Sequence, residues 1–101
     1  MIIYNVTVKT EPAIAGEWVA WMQDEHIPDL MRTGLFTGYR LCRLLEHDEQ
    51  EGVTFSAQYF CESIDQYNTY IREHAGEMRE KGLARFGSGF IAFRTVMEVI
   101  A

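Results

Sequence analysis

The sequence has 101 residues, of which 48% are hydrophobic and 13% aromatic, so we predict a single domain over residues 1–101 with one hydrophobic core, and a disordered chain is excluded. Its 15 acidic and 9 basic residues give a net charge of −6, and no lysine or arginine run offers the basic patch that nucleic acid or anionic lipid requires. Neither is expected as a partner. No signal peptide or membrane-spanning stretch is recognised, so we predict a cytoplasmic location.

The first predicted elements are a strand and a bent helix. Apolar and polar residues alternate over residues 2–9, which predicts a half-buried strand. Pro12 predicts a helix start, because the first helical position has no partner for an N–H. Pro28 lies inside the same helical pattern and should bend the helix between residues 24 and 28, before a stop at Gly34.

A hairpin is predicted next. Strand-like residues cover 35–46 and 53–61, and a polar connection over 47–52 joins them. His47 lies in that connection and is expected to be solvated. Cys42 and Cys61 are not in register in this hairpin and lack CxxC spacing, so we expect neither a disulfide nor a metal site.

The second helix is predicted to begin at Ile64, because Ser63 and Gln66 form a capping box. It should bend near Gly76 and end by Gly82 or shortly after. A last strand over residues 90–100 completes the order βαββαβ. Right-handed crossovers then give a ferredoxin-like α+β fold, with a four-stranded antiparallel sheet and two helices on one face.

Several segments resemble a family of small bacterial proteins known only as a domain of unknown function, within the dimeric α/β-barrel group of ferredoxin-like proteins. The segments are MIIYNVTV, EWVAWMQDEHIPDL, TGLFTGYRLCRLL, FSAQYF and FRTVMEV. The group includes cofactor-independent monooxygenases, haem-degrading enzymes and small isomerases. The resemblance therefore implies a dimeric scaffold able to hold a small ligand, and no particular reaction.

Two histidines are candidate catalytic residues. His26 shares a helical stripe with apolar residues, where it is either a structural histidine bonded to a nearby polar group or a base, and some proteins of the resembled group have a histidine just before a proline at this place. His74 lies on the apolar stripe of the second helix. A joint His26/His74 site for a metal or a proton is geometrically possible, but no carboxylate at metal-ligand spacing supports it.

The sheet face turned away from the helices is the second candidate site. We predict that Asn5, Gln58 and Arg94 lie there, joined by Arg40 or Arg43 according to the register of the second strand. Amides and arginines suit a small anionic or aromatic ligand in a cavity between two sheets. The alternative is a hydrated dimer interface without a ligand.

That open face should also bring two copies of the chain together. We predict a homodimer that packs sheet against sheet and buries roughly 1,500 Å². The apolar residues expected on this face are Ile3, Phe60, Phe90, Ala92 and Val96.

The sequence thus favours a small dimeric module that binds a small molecule or a protein partner, with no cofactor. The alternative is a cofactor-independent monooxygenase or isomerase, with His26 as base and Asn5 or Arg94 stabilising an oxyanion. A haem-binding variant would use His74 as axial ligand. An enzyme requires His26 or His74 to reach a cavity that Asn5 or Arg94 also reaches.

Overall fold

The computed structural model describes residues 1–46 and 48–101, so His47 lies outside the described residues. Four strands form one antiparallel sheet in the order β2-β3-β1-β4. This order is that of the ferredoxin-like α+β fold and confirms the predicted topology. The strands are β1 (Ile2–Thr10), β2 (Gly38–Arg43), β3 (Val53–Cys61) and β4 (Phe90–Glu98).

The core lies between the helices and one face of the sheet. Even-numbered residues of β1 pair with odd-numbered residues of β3, so Tyr4 lies opposite Tyr59 and Val8 opposite Phe55. All four side chains are buried, as the alternation in the sequence predicted. Cys42 is paired with Ser56, and both cysteines are free thiols.

The first helical connection is bent as predicted, and its middle has π-helical geometry. A 3₁₀ turn (Pro12–Ile14) leads into α1 (Ala15–Trp21), a π-helical segment (Met22–His26) and α2 (Ile27–Arg32). The N–H of Ile27 bonds to the carbonyl of Met22, five residues back. This wider turn precedes Pro28, which lacks an N–H and could not continue a regular α-helix without a clash. Gly34 then ends the helix at a positive φ of 75°.

The second helical connection is divided at His74. The capping box of Ser63 and Gln66 starts α3 (Ile64–Glu73) as predicted, and α4 (Ala75–Phe86) follows. The break was expected near Gly76, but it falls at His74, whose φ of −127° is not helical. No helix in the described part of the chain has the length and apolarity needed to cross a bilayer.

The second helical connection ends at Phe86, shortly after Gly82, as predicted. Gly82 is buried inside α4, which continues to Phe86 and ends before Gly87. A Cβ on Gly82 would lie 3.5 Å from Phe90 and 3.6 Å from Trp21. These are ordinary contact distances, so Gly82 is an interior residue of the helix and not a stop signal.

The prediction of which β4 residues lie on the open face is wrong. Arg94 pairs with Val6, and Ala92 with Val8, so both lie on the helix-facing side. Phe90 and Val96 follow the same alternation. The first four residues of β4 are all apolar and Arg94 and Thr95 are adjacent polar residues, so periodicity could not select the inner face, and a shift of one residue exchanges the two faces. The open face instead carries Ile91, Phe93, Thr95 and Met97.

Candidate functional site

A cavity lies between the helices and the sheet. Its volume is about 60 Å³, measured as the space open to the centres of water molecules. Its walls come from three strands and from every helical segment except the first 3₁₀ turn, and most of the side chains are aromatic or aliphatic. The residues around it are Tyr4, Val6, Val8, Trp18, Trp21, Met22, His26, Leu30, Ala57, Tyr59, Tyr70, Met78, Arg79, Gly82, Phe90, Ala92 and Arg94.

His26 is held in this cavity by the π-helical segment. Its ring stacks on Trp21, with centroids 4.5 Å apart. Its Nδ1 atom is buried and has no hydrogen-bond partner among the described residues. Burial lowers the pKa of His26 from 6.5 to about 4; the charges of Lys81 and Arg94 act in the same direction, and that of Asp29 opposes them. The imidazole is therefore neutral at pH 7.

Two tyrosines contribute polar atoms to the cavity. Tyr59 is 1% exposed, and its hydroxyl has no hydrogen-bond partner in the described part of the chain. Burial raises the pKa of Tyr59 and of Tyr70, so both hydroxyls stay protonated at pH 7. A buried hydroxyl without a partner costs free energy unless a ligand or water satisfies it.

Arg79 and Arg94 add positive charge where the cavity meets solvent. Both residues are exposed, and neither forms an ion pair within the described residues. Arg94 extends from β4 and Arg79 from α4. Their charges partly offset the rise that burial causes in the pKa of Tyr70, which indicates that both lie near its hydroxyl.

Ion pairs join α2 to α4 beside the cavity. Lys81 Nζ lies 3.3 Å from Asp29 and 3.5 Å from Glu77, and Asp29 also pairs with Arg32. Burial alone would raise the pKa of Asp29, but Lys81 and Arg32 outweigh it and lower the pKa. Asp29 is therefore ionised at neutral pH, and its carboxylate is engaged by Lys81 and Arg32.

The structure separates the predicted catalytic residues. His26 lines the cavity, whereas His74 is absent from its walls and stacks on Tyr70, with centroids 6.2 Å apart. His74 is the residue between the C-terminal end of α3 and the start of α4. No group of three or more His, Cys, Asp or Glu side chains in the described residues is arranged to hold a metal. The residues around His74 do not fit haem, because the cavity that its neighbour Tyr70 lines is far too small for a porphyrin.

The predicted ligand residues of the open face are also divided. Arg40, Gln58 and Asn5 lie in one row across that face. Asn5 is engaged there, since it accepts a hydrogen bond from Ser56 at 2.6 Å and donates to Thr7 and Thr95. It cannot reach the cavity through the sheet.

Arg43 and Arg94 are not on the open face. Arg43 pairs with Phe55 in the sheet register, and its guanidinium forms two hydrogen bonds to Glu49 in the hairpin loop. Arg94 reaches the helix-side cavity. Its expected place between two sheets is therefore wrong, and the pair that shares a cavity is His26 and Arg94.

Tyr59, Tyr70 and Arg79 line the cavity but were not predicted as site residues. The available signal for Tyr59 was a hydroxyl on the apolar side of an alternating strand. Nothing in the spacing of Arg79 distinguishes it from a solvated arginine on a helix.

A family model, "Domain of unknown function (DUF4286)", matches residues 1–100. The chain belongs to this family. No curated protein matches it.

Solved structures resemble the chain in fold. An "ethyl tert-butyl ether d (ethd) family protein" from Bacillus halodurans has a TM-score of 0.67 at 12% identity, covering 99% of this chain and 100% of its own. A "dimeric ferredoxin-like protein" from an uncultured marine organism has a TM-score of 0.69 at 10% identity, covering 99% and 95%. A designed protein with a ferredoxin fold has a TM-score of 0.52 at 19% identity, covering 100% and 89%. At these identities, the likeness establishes the fold of this DUF4286 domain and nothing about its ligand.

Proposed function

We propose that this protein is a homodimeric module that binds a small molecule in the cavity between its helices and its sheet. The observation that carries the proposal is an apolar cavity with two buried polar atoms, Nδ1 of His26 and the hydroxyl of Tyr59, that have no partner among the described residues. Apolar walls with a few convergent polar groups are typical of ligand sites. The alternative of a ligand between two sheets has less support, because Asn5 is already hydrogen-bonded there.

A matched pair of alanine variants tests the binding site. Ala92 faces the cavity from β4, whereas Ala84 is exposed on α4. A library of small aromatic and aliphatic molecules is screened by thermal shift. Ala92→Leu should abolish the shift produced by each hit, because the larger side chain fills the cavity, and Ala84→Leu should preserve it. The absence of any hit, or hits that survive Ala92→Leu, would contradict the proposal.

The dimer is the second part of this proposal. On the open face Phe93 is 63% exposed, Ile91 57% and Met97 40%. Exposed apolar side chains grouped on one sheet face are typical of an interface, and a second copy of the same sheet would cover them. A fold neighbour described as dimeric agrees with this expectation. Light scattering should give twice the chain mass of 11.7 kDa.

A cofactor-independent enzyme is the second candidate, because neutral His26 and Arg94 share the cavity. The pKa of about 4 for His26 weakens this reading. Taking a proton from a phenol, with a pKa near 10, spans about six pKa units, or roughly 8 kcal/mol. Oxygen uptake with an electron-rich phenol that is lost in His26→Phe would nevertheless establish the enzyme. The cytoplasmic location and bacterial origin stay predictions of the sequence.

A further inference from the structure

We infer that the ligand of the cavity is a small planar anion, an aromatic carboxylate, whose carboxylate pairs with Arg79 and Arg94 while its ring enters the apolar interior. This inference rests on the proposed binding function and adds the chemical class of the ligand and its orientation.

The distribution of charge is the first argument. Of the 9 basic residues in the sequence, five lie within ion-pairing distance of a carboxylate: Arg32, Arg43, Arg72, Lys81 and Arg85. The other four, Lys9, Arg40, Arg79 and Arg94, have no such partner among the described residues, although acids outnumber bases in this chain. Of these four, Arg79 and Arg94 line the cavity. No aspartate or glutamate lines the cavity. The cavity is therefore a local site of uncompensated positive charge in an acidic protein, and it favours an anion.

The identity of the cations is the second argument. Both are arginines, whose planar guanidinium can form two parallel hydrogen bonds with one carboxylate. They extend from different elements, β4 and α4, and both are exposed. A carboxylate at the mouth would thus stay partly hydrated, which avoids the cost of burying its charge in the apolar interior.

The interior favours a thin group over a branched one. The open volume of about 60 Å³ is smaller than a whole benzene ring requires, so the ring must enter edge first and extend partly into the mouth. Met22 and Met78 line the cavity and can change rotamer to enlarge it. The stacked rings of Trp21 and His26 provide a flat wall for the face of an aromatic ring.

Two buried polar atoms favour a hydroxyl group on the ligand. His26 Nδ1 and the hydroxyl of Tyr59 are both buried without partners in the described chain, and both residues line the cavity. A ligand hydroxyl can donate one hydrogen bond and accept another, so it suits this pair better than a group that only accepts. A ring that carries both a carboxylate and a hydroxyl therefore offers a partner to the arginines and to these buried atoms.

Four probes of similar size separate the class of ligand from binding itself. These are 4-hydroxybenzoate, its uncharged analogue 4-hydroxybenzamide, benzoate and 4-methylphenol, each titrated by calorimetry against the full chain. We expect the affinity for 4-hydroxybenzoate to be at least about tenfold higher than that for 4-hydroxybenzamide, because only the acid pairs with guanidinium as an ion. Benzoate should bind more weakly than 4-hydroxybenzoate.

Arginine variants locate the charge that is responsible. The double variant Arg79→Gln/Arg94→Gln should remove the preference for the acid over the amide, whereas Arg72→Gln, an exposed arginine on α3, should keep it. Equal affinity for acid and amide would overturn the anion inference and leave the binding proposal standing. An acid preference that persists in the double variant would also overturn it. If none of the four probes binds, and the library screen gives no hit, the binding proposal itself fails.

Discussion

The imidazole of His26 stacks on the indole of Trp21, with ring centroids 4.5 Å apart and ring planes inclined by 22°. The contact joins the last residue of α1 to the last residue of the π-helical segment, so the bent part of the helix presents both rings to the cavity. A protonated ring here would lose hydration without gaining a hydrogen-bond partner for Nδ1 among the described residues. The packing of this pair therefore depends on a neutral histidine.

The protein should become less stable as the pH falls, because of His26. Its pKa is about 4 in the folded protein against 6.5 in the unfolded chain, so the unfolded chain binds a proton first as the pH falls. The stabilisation is present above pH 6.5 and is lost between about pH 6.5 and 4, on the order of 2–3 kcal/mol in total. Urea unfolding at fixed protein concentration measures it. His26→Phe should flatten this slope, and a similar flattening in His74→Gln would assign the effect to the wrong residue.

Tyr59→Phe should stabilise the protein without ligand. The change removes a buried hydroxyl that lacks a partner in the described chain and keeps the ring that packs against Tyr4 and Phe36. We expect a gain of about 1 kcal/mol in the free energy of unfolding, measured with urea. Tyr67→Phe, on α3, is the control and should not give this gain. A loss of stability in Tyr59→Phe would mean that water or another group already satisfies the hydroxyl.

Two glycines should respond in opposite ways to alanine. The nearest atoms to a Cβ on Gly82 would lie at 3.5 Å, which is ordinary contact, so Gly82→Ala should stabilise α4 by about 0.5–1 kcal/mol. A Cβ on Gly89 would lie 2.7 Å from Ile14 and 3.1 Å from the carbonyl oxygen of Phe86. Gly89→Ala should therefore destabilise by about 1–3 kcal/mol. Thermal unfolding of the two variants side by side checks both signs.

A charge on the open face should prevent dimerisation. Phe93→Glu places a carboxylate in the middle of the exposed apolar patch, where a second sheet would have to desolvate it. Light scattering should then give the monomer mass of 11.7 kDa. Leu83→Glu is the matched control, because Leu83 is 57% exposed on α4, away from the sheet, and this variant should stay dimeric. A wild-type protein that is already monomeric would refute the dimer.

The sequence predicted those elements in which one local signal dominates. Polar and apolar residues alternate cleanly in β1 and β3, and the capping box of Ser63 and Gln66 marks the start of α3. The signals in β4 and at Gly82 were ambiguous. Four consecutive apolar residues, Phe90 to Phe93, leave the register open, and a glycine in a helix can be either a stop or a point of close approach.

The candidate site was harder to predict because its walls come from distant parts of the chain. Sequence periodicity placed His26 on an apolar stripe, but it could not show that Arg94, far along the chain, reaches the same cavity. That relationship depends on the pairing of β1 with β4, in which Val6 lies opposite Arg94. Tertiary pairing of this kind is not encoded in any local pattern.

The same pairing has a kinetic consequence. β1 lies in the middle of the sheet and joins β4, and Ile2 is paired with Glu98 across almost the whole described chain. Closing so long a loop costs entropy before any strand contact offsets it, so folding should be slow for a domain of this size, in milliseconds to seconds. β2 and β4 are the edge strands of the sheet and each pairs with one strand, so they should open before β1 and β3 in native-state fluctuations. Amide hydrogens of β1 bonded to β3 should then exchange most slowly, and those of the two edge strands most rapidly within the sheet.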